Sequence, residues 1–246
     1  MKGIRRCFTD MPRFAAAWNK TLMWFFTALL PFFLASACGL PTTEYLFSPY
    51  DFIYTGSNIR LIHDDRNING TGLFKGYEIY YRLFQNYDDA KNTLISALNL
   101  ADNYQDSPNS FMQAALYSLS FRRMLQISPV PGSVNVIDSR PLIPVKDNSV
   151  NQFDLDMNTW LFNLNGSLVK VARNNGANVA NNADFSLSTC YKSNDPDYSG
   201  TDSPNSVYIV LFAVAYGYSA TSFSEIFSNP IFIPSSIADY VSFRLQ

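Results

Sequence analysis

Six oxygen-bearing side chains crowd one short stretch, Asp195-Pro196-Asp197-Tyr198-Ser199-Gly200-Thr201-Asp202. Oxygens at alternate positions with Gly at the sixth form the front half of a calcium loop, because Ca²⁺ takes six to eight hard ligands. Asp195, Asp197, Ser199 and Asp202 are the candidate ligands. Pro196 stiffens the stretch, and Ser206 stands where a closing Glu would be, so the competing reading is a polar turn between strands. Asp154-x-Asp156-x-Asn158 has a similar start without the Gly. Two carboxylate pairs, Asp64 with Asp65 and Asp154 with Asp156, have the residue type that acid/base hydrolysis of a polymer needs. The sole histidine, His63, lies in an alternating stretch and reads as a partly buried strand residue rather than a general base. Gly217-Tyr218-Ser219-Ala220-Thr221 lacks the closing Gly of a nucleophile elbow. No zinc, P-loop or dinucleotide motif is present. The expectation is a non-enzymatic chain with no cofactor, calcium being the one candidate. Tyr80, Tyr191, Tyr198, Tyr216 and Tyr218 are candidate contact aromatics, since rigid amphipathic rings serve protein and sugar contacts. Core and strand-end packing is the competing role for them.

Something must position these residues. Of 246 residues, 47% are hydrophobic, 15% aromatic and 15% charged, which excludes a disordered chain, a collagen repeat and a coiled coil. The length supports a sizeable core. A formal charge of -2 argues against nucleic acid as a partner.

The N-terminus reads as an address. Lys2, Arg5, Arg6, Arg13 and Lys20, opposed by Asp10 alone, precede an apolar run from Thr21 to Leu34. Fourteen residues make a helix of roughly 21 Å, short of the ~30 Å hydrocarbon core, and Pro31 interrupts it. Ala35-Ser36-Ala37 then supplies a small-residue cleavage site, completing a secretory signal peptide over 1–37, with Met11 as an alternative start. Leu34-Ala35-Ser36-Ala37-Cys38 also resembles a lipobox, with Leu four residues before the Cys as in the relaxed form of spirochaete lipoproteins. The resemblance implies a bacterial lipoprotein that carries its lipid on Cys38. Cys7 falls in the leader and Cys190 is left alone, so no internal disulfide is expected. Without the leader the chain carries net charge -6. Its expected place is the cell envelope, anchored to a membrane rather than spanning it.

The body reads as mainly β. Residues 38–57 form a tether and first edge strand, with Pro41 and Pro49 suiting an edge. Asn58–His63 alternates, a turn follows to Gly72, and Phe74–Phe84 places Tyr77, Ile79, Tyr81 and Leu83 on one face. Glu78, Tyr80 and Arg82 fall opposite, which predicts a strand with one buried and one polar face. Leu94, Leu98 and Ala101 recur at helical spacing within a helix over 88–104, capped by Asp88 or Asp89 and ended at Pro108. Alternation predicts a strand over about 116–126, after an ambiguous stretch at 111–116. Proline punctuates 129–144, and Gln152–Asp156, Leu168–Arg173 and Phe185–Tyr191 are short strand candidates. Val207–Ala215 is apolar on both faces, so it must be covered twice, by the 88–104 helix or by a dimer partner.

Gly76-Tyr77-Glu78-Ile79-Tyr80-Tyr81-Arg82 resembles the third strand of a fibronectin type III domain. Tyr208–Ala215, Ser224-Glu225 and Ser228-Asn229-Pro230-Ile231-Phe232-Ile233 resemble the last two. The resemblance implies an immunoglobulin-like antiparallel sandwich over 58–246, with an inserted helical segment at about 85–205. It implies no chemistry. The leading expectation is a lipid-anchored binding module whose partner is a protein or a glycan. The alternatives are an envelope-polymer hydrolase using the paired carboxylates, and a small-ligand carrier with its pocket between the helix and Val207–Ala215.

Overall fold

Alternation becomes strands through most of the chain. A computed structural model describes residues 44–56, 58–69, 73–127, 136–147, 151–164, 167–176, 185, 191–233 and 244–245, all within one unit, Glu44–Gln246. The leader, Cys38 and most of the strand expected at 185–191 lie outside the described residues. In chain order come β1 (Asp51–Tyr54), β2 (Asn58–Ile62), the single turn α1 (Arg66–Asn69), β3 (Leu73–Phe84), α2 (Tyr87–Asn103) and α3 (Pro108–Tyr117). Short strands follow: β4 (Arg122–Arg123), β5 (Leu125–Ile127), β6 (Val136–Ile137) and β7 (Ile143–Pro144). Then come β8 (Gln152–Asp156), β9 (Leu161–Leu164), β10 (Ser167–Ala172) and β11 (Tyr198–Ser199). The chain closes with β12 (Val207–Tyr218), β13 (Glu225–Phe227), β14 (Ile231–Ile233) and β15 (Arg244–Leu245).

Two sheets form a sandwich. The first has the order β1-β2-β8-β9-β10-β5-β6 and is antiparallel throughout. The second is built on the long antiparallel pair β3 and β12, registered from Tyr208 opposite Phe84 to Tyr218 opposite Leu73. Short strands flank the pair: β7, β4 and the parallel β11 along β3, and β13, β14 and β15 along β12. Both segments that carry the fibronectin-like pattern are thus direct neighbours. Between β4 and β5 the chain passes from one sheet to the other at Met124, whose N–H donates to the Ile79 carbonyl. The 85–205 segment supplies β5, β6, β8, β9 and β10, five of the seven strands of the first sheet, so it is integral to the sandwich.

The sandwich core joins Phe52, Leu61, Phe153, Leu155, Phe162 and Val171 of the first sheet to Ile79, Tyr81, Leu83, Ile209 and Leu211 of the second. The outer face of the second sheet is covered as well. Val210, Phe212 and Val214 of β12, with Tyr80 and Phe84 of β3, pack under Ala90, Leu94 and Ala97 of α2 and Phe111, Met112 and Ala115 of α3. Phe212 centres this layer, with Tyr80, Phe111, Phe121 and Phe232 at ring-centroid distances of 5.0–5.5 Å. A strand apolar on both faces therefore finds its second cover within the chain, as its pattern required. Side chains of the two helices and the sheet pack together across that interface.

Two corrections concern local signals. Asn86 caps α2, its Oδ1 accepting from the Asp88 N–H at 2.8 Å, while Asp88 and Asp89 occupy the first turn, where the helix dipole favours acids. Pro108 opens α3 as its first residue, a place where the missing N–H costs nothing, so residues 108–117 are helical where alternation predicts a strand from about 116. Among the described residues, no helix is long and apolar enough to cross a membrane.

Candidate functional site

Where β3 ends, Gln85 and Asn86 turn the chain into α2. Parallel pairing of β11 with Leu83 and Phe84 brings Ser199 and Gly200 alongside, and the register of β12 sets Tyr208 opposite Phe84. These elements enclose an open cleft of about 480 Å³, lined by Gln85, Asn86, Tyr87, Asp89, Ser199, Gly200, Ser206 and Tyr208. The Tyr87 and Tyr208 rings meet edge to face, centroids 5.7 Å apart. Gln85 Oε1 accepts from the Thr201 N–H at 2.8 Å and the Thr201 hydroxyl at 3.0 Å, and Asn86 Oδ1 is engaged in the helix cap. Gln85 therefore offers its N–H donors, and Asn86 its N–H donors and one remaining lone pair. Asp89 adds an acceptor, and Ser199 and Ser206 add hydroxyls. Among the described residues, no Lys or Arg lines the cleft. Glycine is required at position 200, because a Cβ there would run into the Tyr198 ring and Gln85 Cβ.

The calcium candidates are otherwise engaged. Fully buried Arg173 reaches into their loop, its Nη2 2.7 Å from Asp197 Oδ1 and 2.8 Å from Asp195 Oδ2, and its Nε 3.0 Å from Asp197 Oδ2. The Tyr81 hydroxyl donates to Asp197 as well, and burial drives Tyr81 well above its ordinary range. Arg173 also lies 4.2 Å above the Tyr191 ring. Asp202 accepts from the Ser193 N–H at 2.7 Å, and Ser199 sits in β11. A guanidinium thus pairs two of the three candidate acids, Asp195 and Asp197. Among the described residues, no group of three His, Cys, Asp or Glu side chains converges as a metal site would require.

Asp64, Asp154 and Asp156 are each bonded to other groups. Asp64 is held by Arg66 at 2.6 Å, and this hydrogen bond lowers its pKa. Asp154 bonds Arg60 at 2.9 Å, while Asp156 accepts from the Asn158 N–H and the Thr159 hydroxyl, which lowers its pKa too. A general acid needs the opposite shift. His63 is buried, its Nδ1 2.6 Å from the Tyr77 hydroxyl, which burial pushes up to about 12.

Four of the five contact aromatics are buried. Tyr80 stacks on Phe212, Tyr191 and Tyr198 enter the sandwich core, and Tyr216 lies beneath the Arg140 guanidinium at 4.4 Å; Tyr218 is half-buried. Period two puts Tyr80 and Glu78 on a face that an acid and an arginine make look polar, yet α2, α3 and a charged cluster cover it. Glu78 is fully buried, its carboxylate 3.2 Å from Arg123 Nη1 and 3.0 Å from Arg140 Nε, and desolvation raises its pKa. Arg140 continues to Glu225 at 2.7 Å, and the Tyr216 hydroxyl lies 2.9 Å from both Glu225 and the Tyr218 hydroxyl. A lone Glu in an aromatic strand was the available signal for this network. The cleft had no comparable signal, because Tyr87 and Tyr208 are brought together only by strand register. Compared with protein-family models, with curated proteins and with solved structures, the chain matches none.

Proposed function

We propose that the chain is an exported lipoprotein, held to a membrane through Cys38, whose sandwich is a non-enzymatic module binding a neutral polyhydroxylated ligand such as a glycan. The observation that carries the binding reading is the cleft beside Tyr87 and Tyr208: two aromatic rings, amide donors, one carboxylate, two serine hydroxyls and, among the described residues, no cation. Sugars are held by ring faces against their C–H surfaces and by amides and carboxylates against their hydroxyls, in open clefts from which they leave readily. The leader and the lipobox-like Leu34–Cys38 support export and anchoring. The position of the cleft supports them further. It opens at the Phe84 and Val207 ends of β3 and β12, whereas Glu44, the first described residue, is bound at the Tyr218 end, roughly 36 Å away along the strands.

The test pairs a glycan array with calorimetry on the full chain and on Tyr87→Ala and Tyr208→Ala. Losing either ring is expected to weaken binding at least about tenfold without unfolding the domain. Equal affinity in all three proteins would overturn the site, and absence of any glycan binding would overturn the ligand class. Fatty-acid labelling of wild type against Cys38→Ser tests the anchor; equal label in both would sink it.

A further inference from the structure

The end of the sandwich opposite the cleft is where the chain enters it. The Glu44 carboxylate accepts hydrogen bonds from the Ala220 N–H at 2.8 and 2.9 Å and from the Thr221 N–H at 3.2 Å. Leu46 is buried in the core. Asn67 grips the Phe47 backbone on both sides, with 2.8 Å to its N–H and 2.8 Å to its carbonyl, and the Ser48 hydroxyl donates to the Asn229 carbonyl at 2.7 Å. The entering segment is therefore fixed to the turn between β12 and β13. Six peptide steps separate Glu44 from Cys38, a reach of at most ~20 Å.

That turn presents an aromatic ring to solvent. Phe223 is 76% exposed and takes φ 55°, a left-handed conformation that an aromatic residue rarely adopts. The turn holds it there: the Phe223 N–H donates to the Ser219 carbonyl at 3.0 Å, the Ser222 N–H to the Ser219 hydroxyl at 2.9 Å, and the Ser219 N–H to the Ser224 carbonyl at 2.8 Å. Strand register gathers other exposed apolar side chains at the same end. Leu73, 42% exposed, is paired with Tyr218. Tyr45, next to Glu44, is half exposed.

We infer that this end rests on the bilayer that holds the tether, with Phe223 entering the boundary between headgroups and acyl chains. The inference rests on the lipoprotein reading above, since the short link from Cys38 supplies the occupant. The acidic charge of the processed chain, -6, gives no electrostatic pull toward anionic lipid, so the contact is apolar, with tyrosines at headgroup level. Seated this way, the domain points its cleft away from the membrane.

The test uses the full-length lipoprotein reconstituted in phosphatidylcholine vesicles. The processed chain has one tryptophan, Trp160, which is buried. Phe223→Trp adds a reporter at the tip, and Tyr117→Trp, at the far end of α3, adds an equally exposed control. Lipids brominated high on the acyl chain are expected to quench the tip reporter about twofold and to leave wild type and the Tyr117→Trp increment unchanged. Adding Glu44→Ala to Phe223→Trp is expected to lose most of that quenching. Vesicle flotation with an unquenched tip, or equal quenching of both reporters, overturns the seated orientation while leaving the anchor standing. Failure of wild type to float with vesicles overturns the anchor itself.

Discussion

Removing Asp197 is the sharpest perturbation the structure offers. Neither Arg173 nor Asp197 exposes any side-chain surface. Asp197→Ala deletes two bonds from the guanidinium and the acceptor of the Tyr81 hydroxyl together. Breaking a buried ion pair by removing one partner costs about 3–5 kcal/mol, because the survivor stays desolvated without its counter-charge. Asp195 remains 2.8 Å from Arg173, which places the expected loss near the lower bound, about 3 kcal/mol. For a domain of this size each kcal/mol moves Tm by roughly 2–4 °C, so thermal melts should fall by about 6–12 °C. The double variant Arg173→Met, Asp197→Leu removes both buried charges and should recover part of that loss, the remainder being the Tyr81 hydroxyl left without this acceptor and Asp195 left without its cation. A fall of less than about 2 °C for Asp197→Ala, or a double variant as unstable as the sum of its singles, would refute the assignment of these acids to Arg173. Calcium provides an independent check. Millimolar Ca²⁺ should leave Tm unchanged, whereas a calcium loop would raise it by mass action.

Phe212→Ala should cost about 4 kcal/mol in urea denaturation, because four aromatic neighbours are left facing a cavity. Gly76→Ala should cost about 3 kcal/mol or fail to express as folded protein, because the new Cβ would meet the Ile143 carbonyl at a φ of 150°. Asp64 has its folded pKa lowered by Arg66, so the stability it adds is present above the ordinary carboxylate range and lost as pH falls through the folded value. Asp64→Asn should therefore flatten the decline in urea midpoint below about pH 4, by under ~1 kcal/mol because Arg66 is largely exposed. An acid limb as steep as wild type would refute that linkage.

Local spacing determined a good part of this protein. Val207–Ala215 is apolar on alternate residues in both registers, and such a strand cannot face water on either side. The structure gives Ile209 and Leu211 to the sandwich core and Val210 and Phe212 to the helical layer. The helix over 88–104 and the strand 152–156 were equally legible, because period and turn chemistry are short-range properties. What covers a face and what partners a charge are long-range. Glu78 and Tyr80 look solvent-facing by period, yet the arginines that meet Glu78 come from β4 and from the loop before β7. Asp195 and Asp197 look like metal ligands by spacing, yet their cation is Arg173, which follows β10. Tyr87 and Tyr208 meet in one cleft because the pairing of β3 and β12 sets Tyr208 opposite Phe84, three residues before Tyr87. A sequence states which faces must be hidden; the order in which strands are hydrogen-bonded decides what hides them.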